Sequence, residues 1–309
     1  MWDKYQKTLN SEASFSGIGL HSGKEIDVTL IPSNSNSGIT FKRTDLVGNN
    51  EIIANFKNVS SAKLCTKIDN DFGASVSTIE HLMAAFYICG IDNVIVNLNG
   101  PEVPIMDGSA KDFVKIIKNV GTKTLKSKRK FIKIKKKVEL NDNGKVINIA
   151  PSTNGFEVKF TLNYKNNPLI QTQTNTTNFD QKNLGDICEA RTFCLYEDIE
   201  EIKSIGLAKG GSLDNAIVVQ GNKVLNNGGL RSKKEFVNHK ILDLAGDFML
   251  SGVRVIGSVD CIHGGHALTN KFLKKIFSDK SNYDVVETDS SSANVRKILP
   301  LNKRLAVNA

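Results

Sequence analysis

The feature that most constrains this chain is an order that occurs twice: short alternating segments first, longer amphipathic segments after. In the first half, residues 5–31 read as strand, turn, strand, and Glu25-Ile26-Asp27-Val28-Thr29-Leu30 alternates with period two. A polar loop from 32 to 38 leads to a strand at 39–43, and residues 77–90 carry the spacing of a helix closed by Gly90. The second half opens with strands near 131–140, 145–150 and 156–164. A helix at about 236–250, a strand at 253–262 and a helix at 270–277 follow later. Strands segregated from helices in this way predict an α+β fold, with two units of similar plan, each a sheet layered against helices. No repeat is visible at the level of single residues. Lysines and an arginine at 123, 126, 128, 129 and 130 read as a linker, which sets the predicted units at 1–127 and 128–309. Lysines on one face of the strand from Phe131 suit an edge strand.

At 309 residues, 40% hydrophobic and 24% charged, the chain has length enough for two cores. Its net charge of +9 suits an anionic partner: nucleic acid, a phosphorylated metabolite or a lipid face. A plain lysine-rich surface is the simpler reading. The basic stretch 118–137 interleaves one aromatic, which disfavours a stacking surface for single-stranded nucleic acid. Five cysteines without a Cys-x-x-Cys pair fit a reducing compartment. There is no apolar leader and no membrane-length apolar run, so a soluble cytoplasmic protein is expected. Residues 302–309 read as a loosely held tail, and Leu305-Ala306-Val307-Asn308-Ala309 is similar to small apolar endings that proteases read.

Chemistry concentrates on the helix at 236–250. His239, Asp243 and Asp247 fall at i, i+4 and i+8, on one face. A histidine and a carboxylate one turn apart can hold zinc from one side, although the same pattern is common on solvated helices. Glu80 and His81 begin the helix at 77–90. Ser77 and Glu80 can form a capping box, or Glu80 can be a proton-accepting carboxylate beside a metal-binding His81. His266 follows Gly264 and Gly265 at a strand-to-helix turn, where a side chain can project into a site. His21, in a glycine-punctuated turn, is expected to be a surface hydrogen-bonding residue. Residues 101–110 form a rigid turn in which Asp107 or Ser109 caps the next helix. Residues 193–226 read as a βαβ insertion whose Ile199, Ile202, Ile205, Leu207 and Val218 make either a small core or an apolar slot.

Taken together, these motifs resemble one family, the zinc-dependent UDP-3-O-acyl-N-acetylglucosamine deacetylases of lipid A biosynthesis. The resemblance is carried in order by Gly-Ile-Gly-Leu-His-Ser-Gly at 17–23, Ser-Thr-Ile-Glu-His-Leu at 77–82, Asp92-Asn93 and residues 101–110. It continues through Ala-Arg-Thr-Phe at 190–193, residues 210–219, His-Lys-Ile-Leu-Asp at 239–243, Gly246-Asp247 and Gly-His-Ala-Leu at 265–268. It implies one catalytic zinc on His81, His239 and Asp243, with Glu80 as general base. It further implies an oxyanion held with Thr192, and a protonated His266, partnered by Asp247, as general acid. Lys240 would meet the substrate's diphosphate, with Lys145 as a looser match. Leu20, Cys65, Phe193 and Gly211 would border the substrate, and the insertion would form the passage for its acyl chain. Cys194, Leu195, Leu213 and Thr269 depart from common family residues and bear on acyl-chain preference. The implied partner is a UDP-linked acylated glucosamine rather than nucleic acid, with transient contact to the inner membrane face, in a monomer without a dehydratase fusion. The rival readings are a zinc amidohydrolase acting on another N-acylated sugar and a basic nucleic-acid-binding protein.

Overall fold

The computed structural model describes residues 3–180, 183–288 and 295–297. The tail at 302–309, with the ending at 305–309, lies outside the described residues. The fold is α+β. A five-stranded sheet runs in the order Ala13–Ile18, Glu25–Pro32, Val94–Leu98, Ile39–Arg43, Glu51–Ile53. Its pairs are antiparallel except Val94–Leu98 with Ile39–Arg43. The alternation of Glu25–Pro32 buries Ile26, Val28 and Leu30 on one face.

An eight-stranded sheet is built around the strand Arg254–Ile262. One side of that strand pairs antiparallel with Lys145–Ala150. The other side pairs in parallel with Lys130–Ile134 through its first residues and with Phe156–Tyr164 through its last. Buried neighbours on both sides explain why Arg254–Ile262 reads as an almost continuous apolar run.

Among the described residues, six α-helices complete the fold: α1 (Glu80–Cys89), α2 (Lys111–Val120), α3 (Gly185–Cys188), α4 (Ile199–Ser204), α5 (Glu235–Met249) and α6 (His266–Ser278). No helix among the described residues is long and apolar enough to cross a membrane. Residues 80–87 of α1 are all buried, as is every residue of α5 except Lys240. The two helices cross at Gly246, where a Cβ would overlap the Glu80 carbonyl. Glycine is required at 246 by this approach, not by its backbone angles.

Four local expectations differ. Lys123 to Lys130 is not a free linker, because Thr122–Lys128 is a strand paired antiparallel with Tyr5–Leu9. Lys130–Ile134 is not an edge strand, since it lies between Arg254–Ile262 and Tyr283–Thr288. Lysines at period two mark a solvated face whether or not the strand has a neighbour. The capping box does not form: α1 begins at Glu80, Ile79 is its N-cap, and Ser77 Oγ donates to the Pro101 carbonyl. Finally, α6 starts at His266 rather than at 270, because Gly265 is the extended residue before it.

The far end of α1 is also fastened. Gly90 ends it in the left-handed conformation, with φ of 75°. Arg129 then grips Asp92 from two nitrogens, Nε at 2.9 Å from Oδ1 and Nη2 at 2.7 Å from Oδ2. The Arg254 guanidinium stacks on the Tyr87 ring at 4.3 Å and donates to its carbonyl.

The crossing yields a prediction. Gly246→Ala should destabilise the fold by about 1–3 kcal/mol through overpacking, measured as a lower urea midpoint. Unchanged stability would mean that the helices separate freely at this point.

Candidate metal centre

Helix α5 presents His239, Asp243 and Asp247 along the face that meets α1, and α1 brings Glu80 and His81 to the same place. All five are buried. His81 Nε2 lies 3.4 Å and His239 Nε2 3.3 Å from Asp243 Oδ1, and the two imidazoles stand edge to face at 4.9 Å. Asp243 Oδ1 is buried and has no hydrogen-bond partner among the described residues. An orphaned carboxylate oxygen is costly unless something else satisfies it. Corners of a tetrahedron with bonds of about 2.0–2.1 Å are about 3.3–3.4 Å apart, which matches these spacings, so the three residues fit a metal ion.

Surrounding groups orient the ligands. His239 Nδ1 lies 3.0 Å from the Ala190 carbonyl, an arrangement that puts the proton on Nδ1 and leaves Nε2 free to ligate. Burial pushes His239 down to about 3, with Asp243 opposing, so the ring is neutral. Burial works against ionisation of Asp243, but the His239 ring and the Lys240 ammonium hold it well below the usual carboxylate range. Lys240 Nζ is 2.7 Å from Asp243 Oδ2 and 5.8 Å from the Phe193 ring centre. Ala190 and Thr192 are held by the next layer. The Arg191 guanidinium is ion-paired to Glu235 at 2.8 Å, and the Thr192 amide donates to the Gly108 carbonyl.

A second group lies beside the three ligands. His266 Nδ1 is 2.8 Å from Asp247 Oδ2, and its Nε2 is 3.7 Å from Glu80 Oε1 and 3.9 Å from Asp243 Oδ2. Burial alone would neutralise His266. The charges of Asp247 and Glu80 outweigh it and push the ring up to about 10, so it is cationic at neutral pH. Burial raises Glu80, with the His266 and His81 charges opposing. Glu80 is therefore a more basic carboxylate than a solvated one.

Thr66 joins both acids: its amide donates to Glu80 Oε2 at 3.0 Å and its hydroxyl to Asp247 Oδ1 at 2.6 Å. Nothing in the sequence singled out Thr66, since it stands alone in an irregular stretch. Cys65 precedes it, and burial keeps the thiol protonated by pushing it up to about 12.

The insertion forms a parallel pair, Phe193–Leu195 with Ile217–Gln220, joined through α4. Between it and the turn at 17–23 lies a cavity of about 280 Å³, lined by Leu20, Thr192, Phe193, Ile202, Gly211 and Val218 among others. Ile199, Ile202 and Val218 of the insertion thus line a slot, whereas Ile205 is exposed and Leu207 is not part of the lining. His21, expected on the surface, is buried in this wall. Thr192 and Phe193 face the slot, and Phe193 also packs edge to face near His239 at 6.4 Å.

Two imidazoles and a carboxylate at tetrahedral spacing, with a basic carboxylate and a cationic histidine alongside, are the equipment of a metal-dependent hydrolase. The family model for LpxC, UDP-3-O-acyl N-acetylglycosamine deacetylase, matches residues 6–278, and the chain belongs to that family. The UDP-3-O-acyl-N-acetylglucosamine deacetylase of Geotalea uraniireducens is 45% identical over 284 residues, covering 92% of each chain. Those of Haemophilus ducreyi and Aliivibrio fischeri are 40% and 41% identical, covering 93% and 90% of this chain and 94% and 92% of their own.

The charge on His266 has a pH signature. A raised imidazole contributes stability that is complete below its unfolded value of about 6.5 and is lost as pH rises through about 10. In metal-free protein, the stability gap between wild type and Asp247→Asn should be widest below about pH 6.5 and should close toward pH 10. Urea unfolding across that range measures it, and a gap that widens with pH would contradict the pairing.

Proposed function

We propose that the protein hydrolyses the acetamide of UDP-3-O-acyl-N-acetylglucosamine to the free 2-amine and acetate, an early step of lipid A biosynthesis. The observation that carries this reading is the orphaned Asp243 oxygen between two imidazoles, flanked by Glu80 and a cationic His266. Membership of the deacetylase family supports the substrate class.

His81, His239 and Asp243 would hold one zinc ion, which when bound supplies a Lewis acid that acidifies water and polarises the acetamide carbonyl. Glu80 takes the proton of the attacking water, a task for which its burial prepares it. The hydroxide adds to the carbonyl carbon, and the developing oxyanion is stabilised by the Thr192 hydroxyl and by the His266 cation. His266 then gives its proton to the departing nitrogen as the C–N bond breaks. Asp247 holds His266 in its charged form and orientation, and Thr66 holds Asp247. Lys240 meets the diphosphate, and Leu20, Phe193 and Gly211 border the acyl chain in the slot. Cys65, the chain neighbour of Thr66, would border the substrate as well.

The catalytic groups divide between a unit of residues 1–127, with Glu80 and His81, and a unit of 128–309, with the rest. That each large sheet draws its strands from one side of residue 127 supports this division. The +9 charge serves a nucleotide sugar rather than nucleic acid. A cytoplasmic monomer that touches the inner membrane face briefly fits a substrate with one fatty chain.

Acetate release from a UDP-3-O-acyl-N-acetylglucosamine should stop on chelation and return with zinc. No turnover by zinc-loaded protein, with turnover of another N-acetylated sugar, would move the substrate assignment. Glu80→Gln should keep one zinc per chain by elemental analysis while kcat falls by about 10²–10⁴. Asp243→Ala should lose the metal, since only two protein ligands would remain. Metal loss from Glu80→Gln, or full occupancy in Asp243→Ala, would overturn these assignments.

A further inference from the structure

Glu102 is a buried carboxylate, 1% exposed, in a turn whose sequence suggests only rigidity. It accepts three hydrogen bonds: Oε1 from the His21 amide at 2.9 Å and the Thr78 hydroxyl at 2.7 Å, and Oε2 from the Ser22 amide at 2.7 Å. Gly19 has no room for a side chain, because a Cβ would press on this carboxylate. Glu102 therefore sets the backbone of the turn at 17–23.

That turn in turn holds one wall of the slot. The amides of Lys209 and Gly210 donate to the His21 and Leu20 carbonyls, and the Ala208 amide donates to His21 Nδ1 at 3.3 Å. The chains touch so closely that a Cβ on Gly210 would overlap the Gly19 carbonyl oxygen. Leu20, His21, Ala208 and Gly211 all line the cavity. The insertion's own sheet fixes its other side, through Phe193–Leu195 and Ile217–Gln220. Among the described residues, the segment at 208–211 belongs to no strand.

We propose that Glu102 is a positioning residue for acyl-chain recognition: by bracing the turn at 17–23, it fixes the 208–211 wall of the slot. The inference rests on the proposed deacetylase reading for its ligand, the apolar acyl group at O3 of the sugar. None of its hydrogen bonds meets His81, His239 or Asp243, and the bond from the Thr78 hydroxyl, two residues before Glu80, goes to Oε1, which a glutamine can keep as an acceptor.

In Glu102→Gln the amide NH2 cannot accept the Ser22 N–H, so one buried donor is unpaired. The test compares a long-acyl substrate with its analogue bearing only an acetyl ester at O3, in wild type and in Glu102→Gln. kcat/KM for the long-acyl substrate should fall about tenfold through KM, while the acetyl analogue changes by less than about twofold. Zinc content should be unchanged. Amide hydrogen exchange at 208–210 should quicken in the substrate-free variant. Gly210→Ala, which pries the same contact from the other side, should give the same loss of selectivity. The double variant should show less than the sum. Equal loss on both substrates, or unchanged exchange at 208–210, would overturn the brace. Should Glu102→Gln fail to fold, Gly210→Ala carries both readouts. Wild type inactive on both substrates would overturn the deacetylase reading, and exchange would still decide the brace.

Discussion

The arrangement depends on one close approach, the crossing of α1 over α5 at Gly246. The missing side chain lets the α1 backbone lie against α5, since a Cβ at 246 would overlap the Glu80 carbonyl oxygen. His81 then meets His239 and Asp243, and Glu80 meets His266. Both helices are buried nearly throughout, so the approach is enforced from outside by two sheets and the layers between them.

Concentrating Glu80, Asp243, Asp247, Lys240 and three histidines in a buried space opposes folding unless each charge is compensated. The compensation is specific. Lys240 answers Asp243, His266 answers Asp247 and faces Glu80, and Thr66 serves two carboxylates at once. One oxygen, Asp243 Oδ1, has no such answer. His81 Nδ1 is likewise buried without a partner among the described residues, and the Asp243 oxygen faces two imidazoles at a spacing that fits a cation. The same environment drives two histidines in opposite directions: His239 down to about 3 and His266 up to about 10. One ring is thereby neutral and the other cationic at the same pH.

Much of this was visible before the structure. The i, i+4, i+8 pattern of His239, Asp243 and Asp247 survives because α5 is a regular helix. Period-two alternation located the strands, and the mixed α+β class followed from their order. Lysine patterns misled at 123–130 and at 133, because a solvated face looks alike on a linker, an edge strand and an interior strand. Glu80 offered a capping reading that is locally sound. It fails because Ser77 is engaged with Pro101 and Glu80 is turned toward Thr66.

The sequence by itself determined the local periods, the turn points and the residue types able to bind a metal, because these depend on neighbours a few positions away. Only the tertiary structure decided which of them share a space. The partners of Asp247 and Glu102 lie on other segments: Thr66 is 181 positions from Asp247, and His21 is 81 from Glu102. Thr66 and Glu102 carry no local signal, since their hydrogen bonds arise only when distant segments pack. Whether a carboxylate is a cap, a brace or a base is settled by burial and by the charges around it, and no spacing along the chain encodes those.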